Sequence, residues 1–207
     1  MPKGSPELTQ ARQEEIVNAC EQLYQTMSFK EITIKEIGQR ISCTRTSIYN
    51  YFQTKEEIFL ALLQREYELW IADLEGLLAE HEALDREDFA EALSRTLERR
   101  AQLLKLMSMN HFDMEENSRM ERLVEFKKVY GRSIQTVRRC LDRFCPAMTE
   151  GRKQAFLYAF FPFMYGVYPY AVVTEKQREA MERADVGFVY HSIYEITCAC
   201  VKKLLEQ

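Results

Sequence analysis

The stretch SIYNYFQTKEEI, Ser47 to Ile58, decides the fold. It passes through Tyr49, Asn50, Tyr51 and Phe52, breaks at Gln53-Thr54 and restarts as a run of charged residues. A wholly buried helix would not carry Asn50 among its aromatics, so the segment must have two faces. On a helical wheel started at Arg45, the side chains of Arg45, Thr46, Tyr49 and Asn50 fall within an arc of about 140°, with Ile48 and Phe52 outside it. The polar arc faces out. After the break, Thr54-x-x-Glu57 places a hydroxyl acceptor three residues before a carboxylate that can reach back, so a new helix starts at Lys55.

The surrounding chain fits a helical protein. Only seven glycines and five prolines punctuate 207 residues, and no alternating strand pattern occurs, which makes the class all-α. Thr33-x-x-Glu36, Asp85-x-x-Asp88 and Asp113-x-x-Glu116 repeat the helix-start signature. Helices are expected from Thr9 to Met27, Thr33 to Arg40, Thr44 to Phe52, Lys55 onward, Arg86 to Met107, Asn117 to Phe144, Thr149 to Val172 and Gln177 to Leu205. The early helices are short and tightly joined, whereas those beyond Tyr67 are long and rich in Phe, Met and Tyr. This predicts an N-terminal module over 1–62 and a helical regulatory body over 63–207.

Two short helices joined by a tight turn, after a longer one, have the helix-turn-helix layout. Its core reads as Leu23, Phe29, Ile34, Ile37, Ile41, Ile48 and Phe52. The outward arc carries a guanidinium, a hydroxyl, a phenol and an amide, groups that address phosphates and base edges. Thr44 is placed to cap the second short helix, aiming its positive end at a duplex backbone. The net charge is −4. Yet Lys30, Lys35, Arg40, Arg45 and Lys55 face only Glu31 and Glu36 between residues 30 and 55, a local basic surface on an acidic protein.

Two phrases carry a family resemblance. Phe29 to Ile37 reads F-x-x-x-T-x-x-x-I, and Ile48 to Ile58 reads I-Y-x-Y-F-x-x-K-E-x-I. At this separation the segment from about Gln13 to Leu63 closely resembles the DNA-binding part of the TetR (tetracycline-repressor-like) transcriptional regulators. The resemblance implies base contacts from Arg45, Thr46 and Asn50, with Lys35 at the groove edge, and phosphate contacts from Tyr49, Tyr51, Thr33 and Lys55. The chain departs from the family pattern A-x-x-x-G-V-S between the helices: Gly38 replaces the alanine and Ser42-Cys43-Thr44 replaces Gly-Val-Ser. Ser42 is therefore expected to adopt the turn conformation that glycine normally supplies, at some strain cost, with Cys43 packed inside.

The resemblance further implies a helical second domain that binds a small molecule and dimerises through its last two helices. From Phe156 to Val173 the chain is apolar or aromatic nearly all round the helix, so one face is left for a partner. The final helix offers a stripe of Val186, Val189, Tyr190, Ile193, Thr197, Cys200, Val201 and Leu204. The expected two-fold interface comprises Phe161, Tyr165, Tyr168, Tyr190, Ile193, Tyr194, Thr197 and Val201. Pro162 and Pro169 should bend their helix and open a pocket lined by Trp70, Met107, His111, Phe112, Phe126, Tyr130, Phe160, Phe163 and Met164, suited to an apolar or aromatic ligand.

Other classes find little support. The six cysteines form no paired C-x-x-C framework and read as buried thiols. His111, Asp113, Glu115 and Glu116 mix possible metal ligands, but no second histidine lies at metal spacing, so no metal or cofactor is expected. No nucleophile motif, phosphate loop or repeated Glu-x-x-His marks an enzyme. No apolar run of about 18 residues reaches across a bilayer, and MPKGSPELTQ has no secretory character, so the expected location is the cytoplasm. The reading is a homodimeric regulator, a repressor released from a palindromic operator by a small ligand. Its alternatives are a ligand-independent regulator acting through a protein partner and, further off, a helical metal-dependent enzyme.

Overall fold

In the computed structural model, residues 5–42, 44–109 and 111–206 are described, His111 by its backbone alone. They form helices α1 (Pro6–Tyr24), α2 (Ile34–Gly38), α3 (Arg45–Ile48), α4 (Lys55–Glu80), α5 (Arg86–Arg99), α6 (Ala101–Met107), α7 (His111–Glu116), α8 (Met120–Phe144), α9 (Glu150–Ala171), α10 (Glu175–Arg183) and α11 (Ile193–Glu206). No strand occurs among the described residues. The chain divides into two compact units, Met1–Arg65 with Asn110–Val129 and Glu66–Met109 with Tyr130–Gln207. The first unit thus takes in a segment from far along the chain.

In the first unit, Ser5 caps α1 by accepting from the Leu8 N–H, and Pro6 occupies the first turn, where its missing donor costs nothing. One face of α1 buries Ile16, Cys20, Leu23 and Tyr24. Thr33 Oγ1 accepts from Glu36 N at 3.4 Å at the start of α2. Thr44 holds the N-cap position of α3, but its hydroxyl pairs with Ser47 Oγ at 2.8 Å and caps no backbone N–H. The helix expected as far as Phe52 is a single α-turn that tightens: the N–H groups of Tyr51 and Phe52 both donate to Ile48 O. Glu57 N donates to Thr54 Oγ1 as α4 opens. Asp113 lies inside α7 and does not begin a helix; its carbonyl accepts from Asn117 Nδ2.

In the second unit, the helix expected from Arg86 to Met107 breaks at Arg100 (φ −106°, ψ 41°), whose guanidinium holds Asp73 through bonds of 2.7 and 3.0 Å. The helix expected from Gln177 to Leu205 is two helices, α10 and α11. Asp185 (φ 50°) and Gly187 (φ 63°) between them adopt left-handed backbone that ends helical propagation. Val186, Val189 and Tyr190 accordingly lie in the connection, not on a helical stripe. Burial pushes the Cys20 and Cys140 thiols up to about 12, so both stay protonated. Cys145 and Cys198 are also buried and Cys200 is half-buried; Cys43 lies outside the described residues. No single described helix is long and apolar enough to cross a membrane; α9 and α10 pass that test only jointly, bent by 80° at their break.

Candidate nucleic-acid interface

The outward arc of α3 and its following turn is present as a surface. Arg45, Thr46, Tyr49 and Asn50 are exposed, and Ile48 and Phe52 are buried beneath them. Thr33, Lys35 and Thr44 are exposed beside them. Lys30, Lys35, Arg40 and Arg45 have no acidic partner among the described residues, which leaves their charge available to an anion.

Lys55 and Tyr51 are placed otherwise than expected. Lys55 Nζ donates to Phe29 O at 2.8 Å and Ile32 O at 3.1 Å, and lies 4.2 Å from the Phe29 ring centroid. Two of its three hydrogens tie down the turn that enters α2, so its first role is structural. Tyr51 is half-buried, and its carbonyl accepts from Arg119 Nη2 at 3.1 Å and Arg122 Nη2 at 3.3 Å.

Arg119 and Arg122 escaped the sequence reading because they lie more than sixty residues downstream with no motif around them. Their anchor is Glu57, whose side chain is 0% exposed. The Glu57 carboxylate accepts from Arg119 Nε at 2.6 Å, Arg119 Nη2 at 2.8 Å, Arg119 N at 3.0 Å and Gln53 N at 2.8 Å. Burial alone would push the Glu57 carboxyl up; the Arg119 guanidinium and the two backbone donors outweigh that and hold it below its ordinary range. Thr54 Oγ1 donates to Asn117 O at 2.9 Å alongside.

The departures from the family pattern between α2 and α3 also have a physical account. Among the described residues, Asp185 is the one non-glycine with positive φ, so Ser42 carries no glycine-like strain. It is held from α1: Ser42 N donates to Glu15 Oε1 at 2.5 Å, and Arg12 Nη1 donates to Ser42 Oγ at 2.7 Å. The Ser42 N–H holds the Glu15 carboxyl below its ordinary range, helped by the Ser42 hydroxyl and Arg12.

The expected ligand-pocket residues separate. In the second unit Trp70, Met107, Phe160 and Met164 are buried, with the Trp70 ring 6.5 Å from Phe160 and 6.1 Å from Phe161, and Tyr130 5.7 Å from both Tyr67 and Phe161. Trp70 Nε1 donates to Thr96 Oγ1 at 2.9 Å. Phe163 lies instead beside an open groove of about 480 Å³ that Pro162, Gly166, Tyr170, Phe188 and Ile196 also line. In the first unit Phe126 is buried but Phe112 is 87% exposed and lines no interior. The His111 side chain lies outside the described residues, and no group of metal-binding side chains occurs among those described.

The expected interface residues separate as well. Phe161, Ile193, Thr197 and Val201 are buried within their own chain and offer a partner almost no surface. Tyr165, Tyr168, Tyr190 and Tyr194 are half-buried. The exposed face of α9 instead runs through Tyr158, Pro162, Gly166, Pro169 and Tyr170.

Comparison with known proteins identifies the class. Residues 16–62 match the family described as bacterial regulatory proteins, tetR family, and residues 64–190 match the tetracyclin repressor-like C-terminal domain. The chain belongs to the tetR family of transcriptional regulators, with an N-terminal DNA-binding domain, and is not an enzyme. Over 80 residues it is 28% identical to the HTH-type transcriptional repressor Rv1474c of Mycobacterium tuberculosis, a match that spans 38% of this chain and 43% of that protein's length. Its fold resembles the fatty acid degradation regulator FadR from Bacillus halodurans, with a TM-score of 0.58 at 14% identity over 99% of this chain and 96% of that one. It likewise resembles a TetR regulator from Rhodococcus sp. RHA1, with a TM-score of 0.55 at 15% identity over 95% and 94%.

Proposed function

We propose that the protein is a homodimeric, cytoplasmic repressor that reads a palindromic operator through α3 and leaves it when a small apolar or aromatic ligand binds the second unit. The observation that carries the reading is the exposed arc of Arg45, Thr46, Tyr49 and Asn50 over buried Ile48 and Phe52, beside basic side chains with no acidic partner among the described residues. Arg45, Thr46 and Asn50 contact base edges, while Tyr49, Lys35, Thr33 and Thr44 hold the backbone.

Dimerisation is supported by the apolar exposed face of α9, where Tyr158 is 74% and Tyr170 61% exposed. Large aromatics in that setting favour a second surface, and a two-fold partner presents two α3 segments to successive major grooves. The aromatic cluster around Trp70 is the ligand compartment; a bound apolar molecule displaces ring contacts there and shifts the population away from the operator-binding form.

The test begins with selection of duplexes from a pool with a randomised core, using the full chain. Arg45→Ala should abolish preference for the enriched duplex, whereas retained preference removes α3 from the reading. Trp70 is the chain's one tryptophan, so its fluorescence reports ligand entry during a screen of apolar and aromatic compounds. A compound that quenches it without weakening operator binding is not the effector.

A further inference from the structure

We infer that Arg119 and Arg122 are positioning residues for operator reading: they grip the carbonyl end of the reading segment at Tyr51, and the buried Glu57 carboxylate fixes Arg119 for that task. The inference rests on the assignment of the Arg45 arc to DNA and extends it to two residues that need not touch the duplex.

The reading element is weak by itself. α3 holds four residues of α-helix, and its continuation is a set of tight turns ending at Ile48 and Ser47 carbonyls. So short a helix has no independent stability, and its last carbonyls lack internal donors. Arg119 Nη2 and Arg122 Nη2 supply donors to Tyr51 O at 3.1 and 3.3 Å, and positive charge at a helix's carbonyl end is favourable. Arg122 also lies 5.2 Å from the ring centroid of Phe52, the residue that roots this segment in the core.

Arg119 cannot drift from this post. Glu57 takes both its Nε and Nη2 hydrogens in a two-point bridge, and takes its backbone N–H as well. The backbone bond separates two roles: removing the Arg119 side chain leaves Tyr51 O only the longer bond from Arg122, while the main chain at Arg119 stays attached to Glu57. The reading segment then loosens without the unit coming apart. Tyr49 and Asn50 immediately precede the gripped carbonyl, so their aim depends on it.

The experiment measures the affinity of the full chain for the enriched duplex and for a scrambled duplex of equal length and composition, across salt, with thermal melting beside it. Arg119→Ala and Arg122→Ala should each weaken the enriched duplex by about tenfold, the size of a lost charged hydrogen bond, and the scrambled duplex by no more than about twofold, with the salt slope unchanged. Arg119→Lys keeps the charge but cannot bridge Glu57 and Tyr51, and should behave as Arg119→Ala does. Where Arg119→Ala leaves Glu57 buried and unpaired and fails to fold, the pair Glu57→Met with Arg119→Met removes both charges and should fold with the same loss of preference. Equal loss on both duplexes with a shallower salt slope makes Arg119 an ordinary phosphate contact and overturns the inference; so does undiminished affinity for the enriched duplex. If Arg45→Ala also leaves affinity intact, it is the placement of α3 on DNA that fails.

Discussion

A β-carbon added to Gly38 would lie 3.2 Å from the Arg45 Cβ and 3.3 Å from its Cγ, so the bare glycine sets how closely α3 lies on α2. The family's usual alanine at this place would press on the stem of the one arginine in the reading arc. Gly38→Ala gains up to about 1 kcal/mol of helix propensity and loses a comparable amount to crowding. Its melting temperature should therefore barely move. Its affinity for the selected duplex should fall about fivefold, a fraction of what a well-aimed arginine contributes at a base pair. Unchanged affinity would show that Arg45 tolerates the shift.

Glu57 gives stability a defined pH dependence. Its folded pKa lies below the ordinary value of 4.5, so its contribution is present above 4.5 and is lost as pH falls through the depressed folded value. Glu57→Gln keeps the shape but removes the charge that holds Arg119, and should cost about 2 kcal/mol or more at pH 7. The gap between wild type and variant should close below pH 4.5 as the wild-type carboxylate protonates. Urea melts at a series of pH values measure it; a gap that stays constant into acid removes the charge from the explanation.

Local signals made much of this legible in the sequence, and non-local ones did not. Thr33, Thr54 and Asp85 mark helix starts because each acceptor sits three residues from its donor. Asp113 has the same spacing but lies inside α7, because spacing alone does not say whether the backbone before it is already helical. The two faces of the Ser47 to Phe52 segment follow from the alternation of Ile48 and Phe52 with polar neighbours. The burial phase of α9 cannot be read that way: the helix is apolar all round, so no stripe marks the inward side, and Phe161 is buried while Tyr158 is exposed. The grip on Tyr51 comes from residues 68 and 71 positions away, and nothing in the local sequence of Arg119 or Arg122 announces it.

Thr197 is a case where burial leaves a cost in place. Its side chain is fully buried on α11, and its hydroxyl has no hydrogen-bond partner among the described residues. Ser94, equally buried, donates to Ala90 O at 2.6 Å. Thr197→Val exchanges an unsatisfied hydroxyl for a methyl of the same shape and should raise stability by about 1 kcal/mol, a shift of about 3 °C in a chain this size. Ser94→Ala, which removes a satisfied hydroxyl, should not stabilise. A destabilised Thr197→Val would mean that the hydroxyl has a partner in the assembled protein.

The proposed dimer rests on the face of α9. Tyr158 is 74% exposed and Phe161 only 3%, although they stand three positions apart on one helix. A carboxylate at Tyr158 would stay hydrated in a single chain and be desolvated in a two-fold interface, where it would also meet its own symmetry copy. Tyr158→Glu should therefore give a folded monomer by sedimentation, with the melting curve of the second unit retained. Its affinity for a duplex with both half-sites should collapse toward that for one half-site, because the second contact is no longer tethered. Phe161→Glu buries an unpaired charge beside Trp70 and should unfold the unit instead of dissociating it. A Tyr158→Glu protein that remains dimeric with full operator affinity would move the interface to another face.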